Sequence, residues 1–372
     1  MQGNGLAVET EQGLLVVDAG PAPQLVRPAL DRLRKHTDKP VRWIVHSHGH
    51  LGYNYGVSGF LEAAEERGEA RPTVIAYENV VRRYRRYLET AGLQNHLNAR
   101  QFRRPVGDFP TAPPLIPDQT CTESLALGGA GRSVGLLWSL SETGDVTAVW
   151  LPGERILYAS AVVINGIPNI GTPMRTLRDT VRRADTLDRL AALAPAIVIP
   201  EFGPVVGDGA VGELTATAAG LRWLRGAVVE RLNQGMTVDD VVHDIDYPAE
   251  LFDVPWMAEN YGHRDFVVRD IARSASGWWD GNPTHLHPCR PTVAAGVRAE
   301  AITDKQAVLD HAARLRDEGR VQEALLVIDL LAPAPGDDAH VVLARKLKSD
   351  LCALRKEEVT SYVSCSCYGS AD

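Results

Sequence analysis

A chain of 372 residues with 45% hydrophobic side chains can bury more than one sizeable core, which excludes a disordered protein and favours two domains. Its net charge of -8 argues against surfaces for nucleic acid or anionic membrane, because both need clustered positive charge. No run of about 18 apolar residues occurs, Met1-Gln2-Gly3-Asn4-Gly5 lacks a basic-then-apolar leader pattern, and five cysteines are dispersed, so a cytoplasmic protein without a membrane span is expected.

Apolar runs on either side of Gln12-Gly13 predict a hairpin over residues 6–18. Leu25, Val26, Leu30 and Leu33 then fall at helical spacing within Pro23 to His36, and Val41-Arg-Trp-Ile-Val45 returns as a strand. The pattern repeats as a helix from Phe60 to Arg67 and a strand from Thr73 to Ala76, which is the signature of a layered α/β domain. Strands 146–150 and 155–158 flank Pro152-Gly153, a helix runs from about Leu177 to Leu193, and Ala196 to Pro200 forms an apolar strand. Beyond residue 220 helical periodicity dominates, with segments at 221–232, 237–244, 264–274, 305–316, 321–331 and 339–354. The last three, broken by Glu318-Gly319 and the loop 332–336, resemble a helical-hairpin unit.

Val45-His46-Ser47-His48-Gly49-His50 directly follows a strand and delivers three imidazoles into one loop. Imidazole ligates divalent metals, and histidines two residues apart can chelate one ion, although such residues also serve as plain hydrogen-bonding groups in loops. Strand, then His-Gly-His, with Val-Val-Asp18-Ala-Gly20 upstream, resembles the metallo-β-lactamase superfamily. Further matches resemble its alkylsulfatase-like branch: Ala76-Tyr-Glu-Asn79, Ala99-Arg-Gln-Phe102, Ser141-Glu-Thr143, Asn165-Gly-Ile-Pro-Asn169, and Gly277-Trp-Trp-Asp-Gly-Asn-Pro283 with Leu286-His-Pro288.

The resemblance implies a metallo-β-lactamase-type αβ/βα sandwich over residues 1–220 and an all-α dimerisation domain over 221–372. It also implies a metal held by His48, His50 and Glu142 and, near the substrate, Asn98, Arg100, Gln101 and Asn169. Asp18 would orient the metal loop. Departures from the family pattern are concentrated at one place. Gly52, Tyr53 and Phe202 stand where ligands of a second metal belong, and Ala161 where a bridging acid belongs. One divalent ion, zinc for such a nitrogen and oxygen set, is therefore expected. Tyr53 and Phe202 are expected to fill the vacated space as packing, while His46 and Glu201 carry side chains that could compensate. The matched sequence starts almost at Met1, so the sheet is expected to lack an outer strand.

Helical spacing gives the arginine run 82–86 a solvated face, from which one guanidinium could still reach an anion. His285 and His287 belong to a loop expected to pack on the first domain through Trp278 and Trp279. Cys365-Ser-Cys367 offers two thiols, too few for a soft-metal site. Three functions follow: a homodimeric hydrolase of sulfate or other esters through a single-metal-activated water, an inactive dimeric scaffold, or a repurposed enzyme with Tyr53, Glu201 and His46 as acid-base groups.

Overall fold

The computed structural model describes residues 3–110, 114–129 and 131–370. Strands β1 (Leu6–Thr10), β2 (Gly13–Val17), β3 (Val41–Val45), β4 (Thr73–Tyr77) and β5 (Gln119–Cys121) form one sheet in that order, antiparallel only between β1 and β2. The second sheet runs β10 (Ile197–Phe202), β9 (Ile156–Ile164), β8 (Thr147–Leu151), β7 (Ser133–Trp138), β6 (Ser124–Gly128), with only β9 and β10 parallel.

Between the strands of the first sheet come α1 (Val26–Leu33), α2 (Val57–Glu66), α3 (Asn79–Glu89) and α4 (Ala91–Phe102). After β9 comes α5 (Thr180–Ala191), and after β10 come α6 (Ala210–Asn233), α7 (Val238–Asp244), α8 (Ala249–Phe252) and α9 (Arg264–Ala275). The chain closes with α10 (Pro291–Glu300), α11 (Lys305–Asp317), α12 (Val321–Ile328), α13 (Ala339–Glu358) and α14 (Tyr362–Tyr368).

Strand periodicity builds the layers. In β2 every residue is buried. Leu15 and Val17 face Val134, Leu136 and Val149 of the other sheet, whereas Leu14 and Val16 face Val26, Leu30 and Phe60 of α1 and α2. The outer face of the second sheet packs α5, α6, α7 and α9 into one core through Ala148, Leu157, Leu187, Leu221, Val241 and Ile271. Residues 220 and 221 lie inside α6, and all of α6 to α9 shares this core; a separate core joins α10 to α13 through Ala299, Leu309, Ala324 and Leu351.

Two findings differ from the sequence expectation. β5, β6 and β7 went unread because they are short or half-exposed and lack clean alternation. The loop after α9 does not pack on the first domain: Trp278 is 71% and Trp279 48% exposed. Local bonds satisfy that loop instead, with Trp279 Nε1 donating to the Asn282 carbonyl at 2.9 Å and His285 Nδ1 2.5 Å from Asp280 Oδ2, so nothing draws the indoles inward. Meanwhile α14 returns to the first domain. The amides of Tyr362 and Val363 donate to the carbonyls of Asn260 and Tyr261, and Ser370 Oγ donates to the Arg100 carbonyl.

Candidate metal centre

The loop after β3 is held from both sides by carboxylates. Asp18, at φ 60° on the end of β2, accepts the Ser47 amide at 2.8 Å and Asn54 Nδ2 at 3.2 Å. This is the orienting role expected for it, and aspartate is among the few residues that tolerate that backbone region. On the other side, Asp145 Oδ2 accepts the Gly49 amide at 3.0 Å and Arg83 Nε at 2.7 Å. A Cβ at position 49 would sit 2.7 Å from Asp145 Oδ2 and 2.8 Å from Arg83 Cδ, so any larger residue between the two histidines would push this buried pair aside.

So clamped, His48 Nε2 and His50 Nδ1 stand 3.0 Å apart, His50 Nδ1 lies 2.9 Å from Glu142 Oε1, and His48 Nε2 lies 4.0 Å from that oxygen. The three ligand atoms fall within 4.8 Å of one another. Metal bonds of about 2.0–2.2 Å to nitrogen and oxygen give ligand-to-ligand edges of roughly 3.3–3.6 Å in a tetrahedron, which the observed spacings bracket.

The surroundings suit the same use. Ser47 Oγ engages His48 Nδ1 at 2.9 Å, so the tautomer protonated there leaves the Nε2 lone pair for the site. Asn169 Nδ2 donates to Glu142 Oε2 at 2.6 Å and Arg178 Nη1 lies 3.5 Å from it, which leaves Oε1 available. Burial, reinforced by His50, pushes His48 down to about 4, so its imidazole is neutral and ligand-competent near neutral pH. Burial alone would raise Glu142, but His50 and Arg178 outweigh it and hold the carboxylate well below its usual range. The donor set fits a divalent metal.

The departures cluster beside this trio. The Tyr53 ring lies 4.4 Å from that of His48, and its hydroxyl hydrogen-bonds Glu201. Glu201 is buried, with Oε1 3.9 Å from His48 Nε2 and without a hydrogen-bond partner among the described residues. Burial and the nearby Glu142 push its carboxyl well above the usual range. Phe202 is half-buried at the end of β10, and Ala161 lies in β9, its carbonyl accepting Ser141 Oγ. His46 sits apart from the trio, fully buried with Nδ1 3.2 Å from Tyr84 Oη; burial, with His48 nearby, drives it down to about 3.

Of the expected substrate residues, Asn98 and Gln101 are buried on one face of α4 and converge on Arg175, whose Nη2 donates to Asn98 Oδ1 at 2.7 Å and whose Nε donates to Gln101 Oε1 at 2.9 Å. Gln94 completes this cage at 3.3 Å, and Gln101 Nε2 donates to Tyr261 Oη at 2.7 Å. Arg100 lies on the opposite, exposed face. Asn169 is brought to Glu142 as a supporting donor.

Sequence reasoning missed Arg83, Asp145, Arg175, Arg178 and the fully buried Arg183. For Arg83 a signal existed: it shares a helical face with Val80, Tyr84 and Tyr87, and it turns inward to Asp145 while its neighbours in the run stay outside. For Arg175 and Arg178, in an irregular stretch between β9 and α5, periodicity offered none.

Known proteins place this geometry. A model of the metallo-beta-lactamase superfamily matches residues 1–201, and one for alkyl sulfatase dimerisation matches residues 237–372. The chain is 30% identical over 311 residues to a linear primary-alkylsulfatase of a Pseudomonas species, covering 77% of this chain and 58% of that protein. It is 22% identical over 378 residues to an alkyl/aryl-sulfatase of Saccharomyces cerevisiae, covering 93% and 57%. The structure of a stereoselective inverting sec-alkylsulfatase from Pseudomonas superposes with a TM-score of 0.84 at 20% identity, over 99% of this chain and 62% of that one. The chain thus spans little more than half the length of the curated relatives it matches. With its two five-stranded sheets, its histidine loop and the helical region behind them, the chain belongs to the metallo-β-lactamase superfamily, in the branch that carries the alkylsulfatase dimerisation domain.

Proposed function

We propose that this protein is a metal-dependent hydrolase of the alkylsulfatase type, holding one zinc ion on His48, His50 and Glu142 and acting on a sulfate or related ester. The observation that carries this reading is the convergence of three ligand atoms from two loops some 90 residues apart, with the second polar atoms of His48 and Glu142 engaged elsewhere. A divalent ion bound there supplies a lowered pKa for water and polarisation of an ester oxygen. The chain's own contribution is charge and position. Arg178 beside Glu142 puts a guanidinium at the site, a charge that suits a sulfate group, while the guanidinium of Arg175 is taken up by its amide cage. Asn98 and Gln101 fix Arg175, Asn169 fixes Glu142, and Arg100 takes no part in either cluster.

The test is elemental analysis of purified protein for zinc, manganese and iron, followed by assay on alkyl sulfates with and without chelator. About one metal per chain, lost together with turnover in a His48→Ala, His50→Ala variant, is the expected result. Absence of metal after reconstitution would move the function to the second reading, a dimeric scaffold, which Gly52, Tyr53, Ala161 and Phe202 at the vacated ligand positions favour. Turnover that survives chelation would instead point to metal-free chemistry on Tyr53, Glu201 and His46.

In either case we propose a homodimer formed through the helical region, supported by the matched dimerisation model and by exposed apolar residues there. No helix among the described residues is long and apolar enough to cross a membrane. A cytoplasmic location is proposed with it, to be checked by cell fractionation.

A further inference from the structure

Family alignment puts Phe202 at the position of a metal-ligating histidine, but the structure brings a different residue, Glu201, to His48. β10 is irregular here, its pairing with β9 shifting register between Ile199 and Pro200 and again between Pro200 and Phe202. Ile199 packs in the core between the two sheets, the side from which the histidine loop emerges, and Glu201 follows it one step nearer that loop. Phe202 beside it is half-buried, whereas Glu201 is buried against His48.

The backbone around Glu201 is fixed from both edges. The Asn4 amide donates to the Glu201 carbonyl at 2.6 Å, while Asn4 Nδ2 donates to the carbonyls of Pro200 and Gly203, each at 2.9 Å. The Asn165 amide donates to the Phe202 carbonyl at 2.9 Å, and a side chain at Gly3 would sit 2.3 Å from the Glu201 carbonyl oxygen. Glu201 is only 3% exposed, and its Oε1 has no donor among the described residues. A buried carboxylate oxygen without a donor is costly, and that cost falls away when a cation occupies the space it faces. The oxygen faces His48 Nε2 at 3.9 Å, matching the 4.0 Å from Glu142 Oε1 to the same nitrogen.

We propose that Glu201, one residue before Phe202 on β10, is a fourth protein ligand of the metal centre, a carboxylate that joins His48, His50 and Glu142 on the one ion. Tyr53 holds its carboxyl group from the side of the vacated second site. Glu201 touches the compact trio only through His48, so ligation requires its side chain to swing toward His50 and Glu142 when the ion enters. The proposal rests on the reading of His48, His50 and Glu142 as a metal site.

Cobalt(II) loaded into the full chain tests it without reference to turnover, because the visible d–d bands of the ion report its inner ligands. Wild type is expected to take up one cobalt per chain with bands that vanish in His48→Ala. Glu201→Gln, which keeps the shape of the side chain, is expected to shift those bands and weaken cobalt binding by about tenfold or more. Glu201→Asp should recover part of that loss, and Phe202→Ala should retain the wild-type bands. Tyr53→Phe, which frees the carboxyl group without removing it, is expected to keep cobalt but alter the bands, and it serves if Glu201→Gln does not fold. Wild-type bands and affinity in both Glu201→Gln and Tyr53→Phe overturn the ligand while leaving the three-residue site intact. No cobalt uptake by wild type overturns both.

Discussion

His46, in the histidine loop after β3, bears on stability through its burial. It is buried with one ring nitrogen near Tyr84 Oη and the other without a partner among the described residues, and burial lowers it from 6.5 to about 3. A histidine depressed in the folded state contributes stability that is present above pH 6.5 and is lost as pH falls from there toward 3, since the unfolded chain takes up the proton first. Denaturation of the metal-free protein between pH 8 and pH 4 should therefore show stability falling below about pH 6.5, with a shallower fall in His46→Gln. The Arg83–Asp145 pair gives a second prediction at this scale. Removing one partner of a buried pair strands the other, so Asp145→Ala should cost about 3–5 kcal/mol in a denaturant titration and also reduce metal uptake, because it frees the Gly49 amide.

At the scale of elements, β2 and α5 each do more than fill space. Every β2 side chain is buried, on two different cores, and the strand ends on the residue before Asp18. Leu15→Ala should cost about 2–5 kcal/mol by thermal or chemical melting, with metal affinity spared if the strand end keeps its register. An equal loss of metal affinity would show that the strand, and not the loop, sets the site. α5 puts Arg183 against the carbonyls of Ala161 and Val162, so this stretch of β9 is held by a buried guanidinium.

For the whole molecule, the two main cores divide the labour. One unites the second sheet with α6 to α9, the other closes α10 to α13, and between them runs the exposed loop with Trp278, Trp279 and Leu286. If this face meets a second copy, Trp278→Ala with Trp279→Ala should convert a dimer to a monomer by light scattering at micromolar concentration while metal content holds. A variant that remains dimeric would locate the interface elsewhere. The return of α14 onto the Asn260–Tyr261 segment links the last helix to the Tyr261–Gln101–Arg175 network, so the helical region reaches the amide cluster on α4.

The sequence by itself determined the opening hairpin, the two strand–helix–strand units and the loop that carries His46, His48 and His50, because each depends on periodicity or turn chemistry within a dozen residues. The likeness of its motifs to alkylsulfatases also singled out Glu142. Tertiary structure decided what no local pattern encodes: that Arg83 turns inward to Asp145, that Arg175 is caged by α4, that Trp278 and Trp279 stay outside, and that Glu201 faces His48 while Phe202 does not. Those outcomes depend on charges and surfaces 50 to 150 residues apart competing for the same buried space, where the cost of an unpaired polar group outweighs local preference.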